Sequence, residues 1–167
     1  MSSSPAKETV EILSIRLDSK FMHPCPECGA ALAAVGDCRQ HFHALLLLER
    51  ESPAADRAAH FLAVSSYVLQ HPNSMQYNAM ALLSVRESVA EFLNGRASLD
   101  SIRRRTRATY HGPRRVARRS GEAAHSWNVA AWPMTVADVL AGGSSEFPRR
   151  VRAWAESIVA ALQVEVS

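Results

Sequence analysis

Three cysteines early in the chain restrict its geometry before anything else does. Two of them share a short turn, Cys25-Pro26-Glu27-Cys28-Gly29, and the third, Cys38, follows Asp37 at the expected start of a helix. Glycine permits the tight bend, and thiolates held in such a turn converge on one point. Asp37 is a good N-cap, so Cys38 falls where free backbone N–H groups and the helix dipole stabilise a thiolate. Three soft donors from a knuckle and a helix start suit tetrahedral Zn2+, which requires one donor more.

The helix opened by Asp37 is expected to run to Glu51, where Ser52-Pro53 ends it. A second helix starts near Asp56 and stops at His71, because Pro72 cannot continue it. Two helices with a short joint form an antiparallel hairpin. If it turns around residue 54, Cys38 lies about 16 residues before the turn and His71 about 17 after it, so packing brings them level. His71 is therefore the first choice as fourth ligand. His41 is the rival, since it lies three residues from Cys38 on one helical face and completes a Cys-x-x-Cys…Cys-x-x-His pattern. His60 is about 16 Å from His71 along a continuous helix and cannot share its ion. It falls level with Glu49, with which it forms either a buried hydrogen-bonded pair, the commoner outcome, or a second metal or acid/base pair. His23 and His43 are expected to be exposed or incidental.

Further along, Asn73 or Ser74 is expected to cap a third helix whose stripe is Met80, Leu83, Val89, Phe92 and Leu93, closed by Asn94-Gly95. Ser98 caps a fourth helix that runs into a set of arginines. The stretch from Tyr110 to Trp132 has no sustained period and reads as a long loop. Thr135 caps a short helix through Leu140, Gly142-Gly143 breaks it, and Val151, Trp154, Ile158 and Leu162 mark the last helix. Phe147, Trp132 and the Met75/Met80 pair are expected in the core. The 167 residues, 47% apolar and 21% charged, with Gly 7 and Pro 8, fit one folded domain of mainly helical class better than an all-β sandwich. The expected organisation is a polar lead-in over residues 1–20, then a single helical bundle over 21–167. In that bundle a zinc knuckle packs on the hairpin, and an arginine-rich loop lies around 103–131.

The net charge of +3 is uneven. Eight arginines (Arg103, Arg104, Arg105, Arg107, Arg114, Arg115, Arg118, Arg119) lie between Ile102 and Gly121 with no carboxylate among them. Taking those eight from 19 basic residues leaves 11 against 16 acidic ones, so the remainder of the chain carries −5. Such a segment can track a phosphate backbone, with Tyr110, His111 and Trp127 nearby to stack on bases, or meet an acidic protein. A loop docked on the chain's own acidic remainder, or simply solvated, is the commoner outcome. Apolar runs such as Ala44 to Leu48 are too short to span a bilayer. The N-terminus lacks the layout of a secretory signal, and three cysteines cannot all pair, so a reducing cytoplasm is the expected location.

Taken together, Cys25-Pro26-x-Cys28-Gly29, Cys38, Glu49 and His60-x-Leu62-x-Val64-x-x-Tyr67-x-x-Gln70-His71-Pro72 resemble an uncharacterised bacterial family of small helical proteins rich in cysteine and histidine. The likeness extends through Thr135-Val136-Ala137-Asp138-Val139 and Val151-Arg152-x-Trp154-Ala155, and covers roughly Pro24 to Leu162. It implies that Cys25, Cys28, Cys38, His60 and His71 belong to a shared pattern and that position 41 is ordinarily apolar, which favours His71 over His41. Two features depart from the pattern: Ser65 stands where the family tends to have an acidic residue, and the arginine segment is particular to this chain.

The chain has none of the common signatures for phosphate-loop, dinucleotide, zincin or nucleophile-elbow chemistry. A site closed by three thiolates leaves no open position for water and blunts the Lewis acidity of its ion. The expected function is therefore a small zinc-binding protein that acts by interaction or regulation without catalysis. Three rivals stand beside it: a metal-dependent enzyme using His60 and Glu49, a nucleic-acid binder using Arg103 to Arg119, and a thiol sensor using Cys25 and Cys28.

Overall fold

The computed structural model describes residues 24–31, 37–110 and 116–163. The lead-in at residues 1–20, His23, His111, Arg114 and Arg115 lie outside the described residues. Six helices and no strands occur among the described residues: α1 Cys38–Glu51, α2 Arg57–Gln70, α3 Ala79–Leu93, α4 Leu99–Tyr110, α5 Val136–Leu140 and α6 Gly143–Gln163. None of them is long and apolar enough to cross a membrane.

Helix boundaries follow the capping chemistry written in the sequence. The Asp37 carboxylate accepts from the Gln40 N–H at 2.8 Å, and Asp56 accepts from Ala58 and Ala59 at 2.9 and 2.8 Å, each satisfying N–H groups that have no partner within the helix. Ser98 accepts from Ser101 at 3.2 Å to open α4, and Asp138 accepts from both the N–H and the hydroxyl of Thr135 to fix the start of α5. Gly95, with φ +68°, closes α3.

The start of α3 departs from expectation. Asn73 and Ser74 lie in a turn, and Asn78 is the cap, accepting from the Ala81 N–H at 2.9 Å. The reason is a competitor from far away in sequence. The Glu27 carboxylate accepts from the N–H groups of Asn73 (2.8 Å) and Ser74 (3.2 Å) and from the Ser74 hydroxyl, so these residues serve the knuckle in place of a helix. The stripe of α3 shifts accordingly. Leu82 and Val89 are its buried residues, whereas Met80 is 73% exposed and does not join the core.

Helix α2 is the centre of the molecule. All six residues from Ser65 to Gln70 are buried, so the helix has no solvent face there. It packs most extensively on α6, whose Val151, Trp154, Ile158 and Leu162 are all buried, and on its other flank against α3. Helices α1, α5 and α6 form the opposite side of the same core. The hairpin register is antiparallel and regular. Cys38 lies near His71, Phe42 stacks on Tyr67 (4.1 Å between ring centroids), and Glu49 meets His60 at 3.0 Å. Steps of four and seven along α1 are thus matched by equal steps back along α2.

The segment from Val116 to Thr135 has no regular structure but is tied down along its length. The Trp127 indole donates to the Leu69 carbonyl at 2.7 Å, and Trp132 donates to the Glu27 carbonyl at 3.1 Å. Asn73 exchanges bonds with the His125 backbone at 2.9 and 3.0 Å, and Arg118 donates to Asn73 at 2.6 Å. Each bond lands at the end of α2 or on the knuckle, where backbone groups leaving the helix have no helical partner. The arginines divide: Arg103, Arg104, Arg105 and Arg107 are exposed on α4, and Arg118 and Arg119 belong to this strap.

Candidate metal centre

The knuckle is a local construction. The Gly29 N–H donates to the Cys25 carbonyl at 2.8 Å, and the Cys25 N–H donates to the Ala30 carbonyl at 2.9 Å. Gly29 has φ +73°, the left-handed conformation that a residue with a Cβ resists. Both cysteine side chains therefore turn inward, and Cys28 meets Cys38 at the first turn of α1 with 3.5 Å between sulfurs. From the far end of α2, His71 brings its Nε2 to 3.7 Å from the Cys25 sulfur. One donor atom from each of Cys25, Cys28, Cys38 and His71 lies within 4.8 Å of all the others, and all four residues are buried. None of the three cysteines is in a disulfide.

His71 is prepared for this position. Its Nδ1 lies 2.9 Å from the Tyr67 carbonyl, a bond that places the ring proton on Nδ1 and leaves the Nε2 lone pair facing the sulfurs. The Tyr67 ring stacks on the imidazole at 4.1 Å and is itself covered by Phe42, so the ring plane is fixed from one side. Burial holds the imidazole below the usual histidine range, in its neutral, ligating form. Burial also pushes the Cys28 thiol up to about 11, and burial with two neighbouring sulfurs pushes Cys38 up as well. Only a cation among the sulfurs reverses this preference and makes three thiolates favourable.

These shifts set a pH window for the metal-free protein. A neutral buried His71 makes the unfolded chain the better proton acceptor, so stability falls as pH drops below about 6.5. Protonated buried thiols make the unfolded chain the better proton donor, so stability also falls as pH rises above about 9.0. Melting temperatures of chelator-treated protein should thus peak between those values; a flat profile would contradict the buried, uncharged arrangement.

The other histidines are placed elsewhere. His41 turns back on its own helix, its Nδ1 3.0 Å from the Asp37 carbonyl, and takes no part in the cluster. His60 meets both Glu49 oxygens at 3.0 and 3.1 Å, with its side chain 54% exposed, so the pair exists but is not buried as expected. Among the described residues no third cysteine, histidine or carboxylate completes a metal-ligating group around it. His43 is exposed.

Sequence reasoning missed Glu27 and the indole N–H bonds of Trp127 and Trp132, both of which pack against the core. Glu27, between the knuckle cysteines, joins the knuckle to the turn after α2, and Trp132 donates to the Glu27 backbone. Gln70, noted only as part of a motif, accepts from the Trp154 indole at 3.1 Å and donates to the Met134 carbonyl at 2.7 Å. The Gln70-His71-Pro72 sequence is thereby explained piece by piece: a buried polar joint, a member of the cluster, and a helix stop.

The class that results is a mainly helical domain in which three cysteines and a histidine meet within metal-binding distance at the end of a helical hairpin. Residues 23–163 match a family of unknown function, DUF5946, and the chain belongs to that family. No curated protein and no solved structure matches it.

Proposed function

We propose that Cys25, Cys28, Cys38 and His71 hold one structural Zn2+, and that the protein acts by interaction or regulation without catalysis. The observation that carries this reading is the spacing of the donors. A tetrahedral ion with Zn–S near 2.3 Å and Zn–N near 2.0 Å has ligand–ligand edges of roughly 3.5–3.8 Å. Two of the donor separations, Cys28–Cys38 at 3.5 Å and Cys25–His71 at 3.7 Å, fall in that range, and all four donor atoms lie within 4.8 Å of one another. The Nδ1 bond to a carbonyl supplies the orienting partner that metal-bound histidines ordinarily have. Four protein donors fill the coordination shell, leaving no place for a reacting water. A reducing cytoplasm would keep the thiols available as ligands.

The test is elemental analysis of purified protein. One zinc per chain is expected, lost in His71→Ala and retained in both His41→Ala and His60→Ala. Zinc that depends on His60, or turnover lost with it, would favour the enzymatic reading instead. The interaction side of the reading draws support from α4, where Arg103, Arg104 and Arg107 are exposed and outside the ion pairs found among the described residues. A nucleic acid or acidic protein bound there would be released steeply by salt.

A further inference from the structure

Helix α4 does not pack closely along any other helix. Its main attachments are the buried side chain of Ile102 and an ion pair between Arg105 and Glu91 of α3. Where it stands away from α2 and α3, a cavity of about 870 Å3 remains. Its apolar lining comes from all three helices: Phe61, Val64 and Val68 of α2, Val85 of α3 and Ile102 of α4. Among the described residues the same cavity is lined by Arg57, Arg103, Arg104 and Arg107, against a single carboxylate, Asp100. None of these four arginines belongs to an ion pair among the described residues.

We propose that this cavity binds a small amphipathic carboxylate, a molecule with a medium-length alkyl or aryl body and one carboxylate head. The volume falls in the range of small-molecule sites, which are largely apolar with a few polar groups that fix orientation. An apolar lining rewards only a ligand that brings apolar surface out of water. Guanidinium groups outside any ion pair among the described residues reward an anion, and carboxylate is the anion they grip with two parallel hydrogen bonds. Inorganic phosphate satisfies the second demand but not the first, and an alkyl amine the first but not the second. A nucleic acid strand would use the arginines while leaving the valines and Ile102 of the lining unfilled, since its bases favour aromatic platforms. The site is separate from the cysteine cluster, so its test does not depend on the identity of the metal.

The experiment is calorimetric titration of the full chain, as purified, with octanoate, octylamine and inorganic phosphate. Octanoate should bind saturably to one site per chain, and the other two at least about tenfold more weakly. Two variants at exposed helical positions separate head from body: Arg104→Gln with Arg107→Gln removes charge, and Ser84→Trp fills space from the α3 wall. Each should weaken octanoate at least about tenfold with helix content and metal content unchanged. The proposal is overturned if octanoate does not saturate, if both variants bind it as the parent does, or if phosphate binds as tightly as octanoate.

Discussion

Replacing Cys28 by serine is expected to remove the bound ion and lower the melting temperature by about 10 °C, because a hydroxyl keeps its proton and is a poor zinc ligand. The proposed ion would join segments that have little other core in common. The knuckle contributes Cys25, Cys28 and Ala30 to the buried interior, and the rest of its attachment is the Glu27 carboxylate and the Trp132 bond. A structural zinc is worth well over 10 kcal/mol in small peptides, but here most of the helical core survives its loss, so about 3–5 kcal/mol should be felt globally. At about 2–4 °C per kcal/mol for a chain of this size, that is the stated shift. Chelator should bring the parent protein down to the same temperature and leave the variant unmoved. Had the three thiols been packed merely as small apolar groups, the parent would ignore chelator and the serine would cost about 1 kcal/mol.

The second large effect belongs to Gln70→Leu, a change that nearly preserves volume and so leaves little cavity. Gln70 is fully buried, accepting from Trp154 on α6 and donating to the Met134 carbonyl at the end of the strap. Leucine can do neither, and an indole N–H and a carbonyl lose their partners away from water. Each stranded group costs about 1–3 kcal/mol, so a loss of about 2–5 kcal/mol in chemical denaturation is expected. A second substitution separates this account from simple mispacking. Trp154→Phe should cost less in the Gln70→Leu background than alone, because the donor it removes is already unsatisfied there. Additive costs would show that the two side chains are not coupled.

What the sequence revealed and what it hid differ by the kind of interaction involved. Caps at Asp37, Asp56 and Ser98 accept from N–H groups three residues on or nearer, and Thr135 donates its own N–H to Asp138 three residues on, so local chemistry was enough to place α1, α2, α4 and α5. The cluster was legible as well, because two helices of equal length with a short joint force Cys38 and His71 to the same end. Glu27 was hidden because its partners are backbone N–H groups 46 and 47 residues away, which carry no side-chain signature. The same long reach captured Asn73 and Ser74 and displaced the start of α3. Trp127 and Trp132 read as apolar mass or a stacking surface, yet each uses its indole N–H to satisfy a main-chain carbonyl 58 or 105 residues distant. The cavity beside α4 could not be foreseen from periodicity, which reports the face a helix buries and not how closely it approaches its neighbours.

The regular register of α1 against α2 also implies an order of assembly. The turn bearing Cys25 and Cys28 reaches the head of α1 across only 10 residues, whereas His71 joins them only when the hairpin closes, 46 residues from Cys25. On the proposed zinc reading the three sulfurs would therefore form a local claw that meets the ion first, and closing the hairpin would bring the imidazole in as its last tooth.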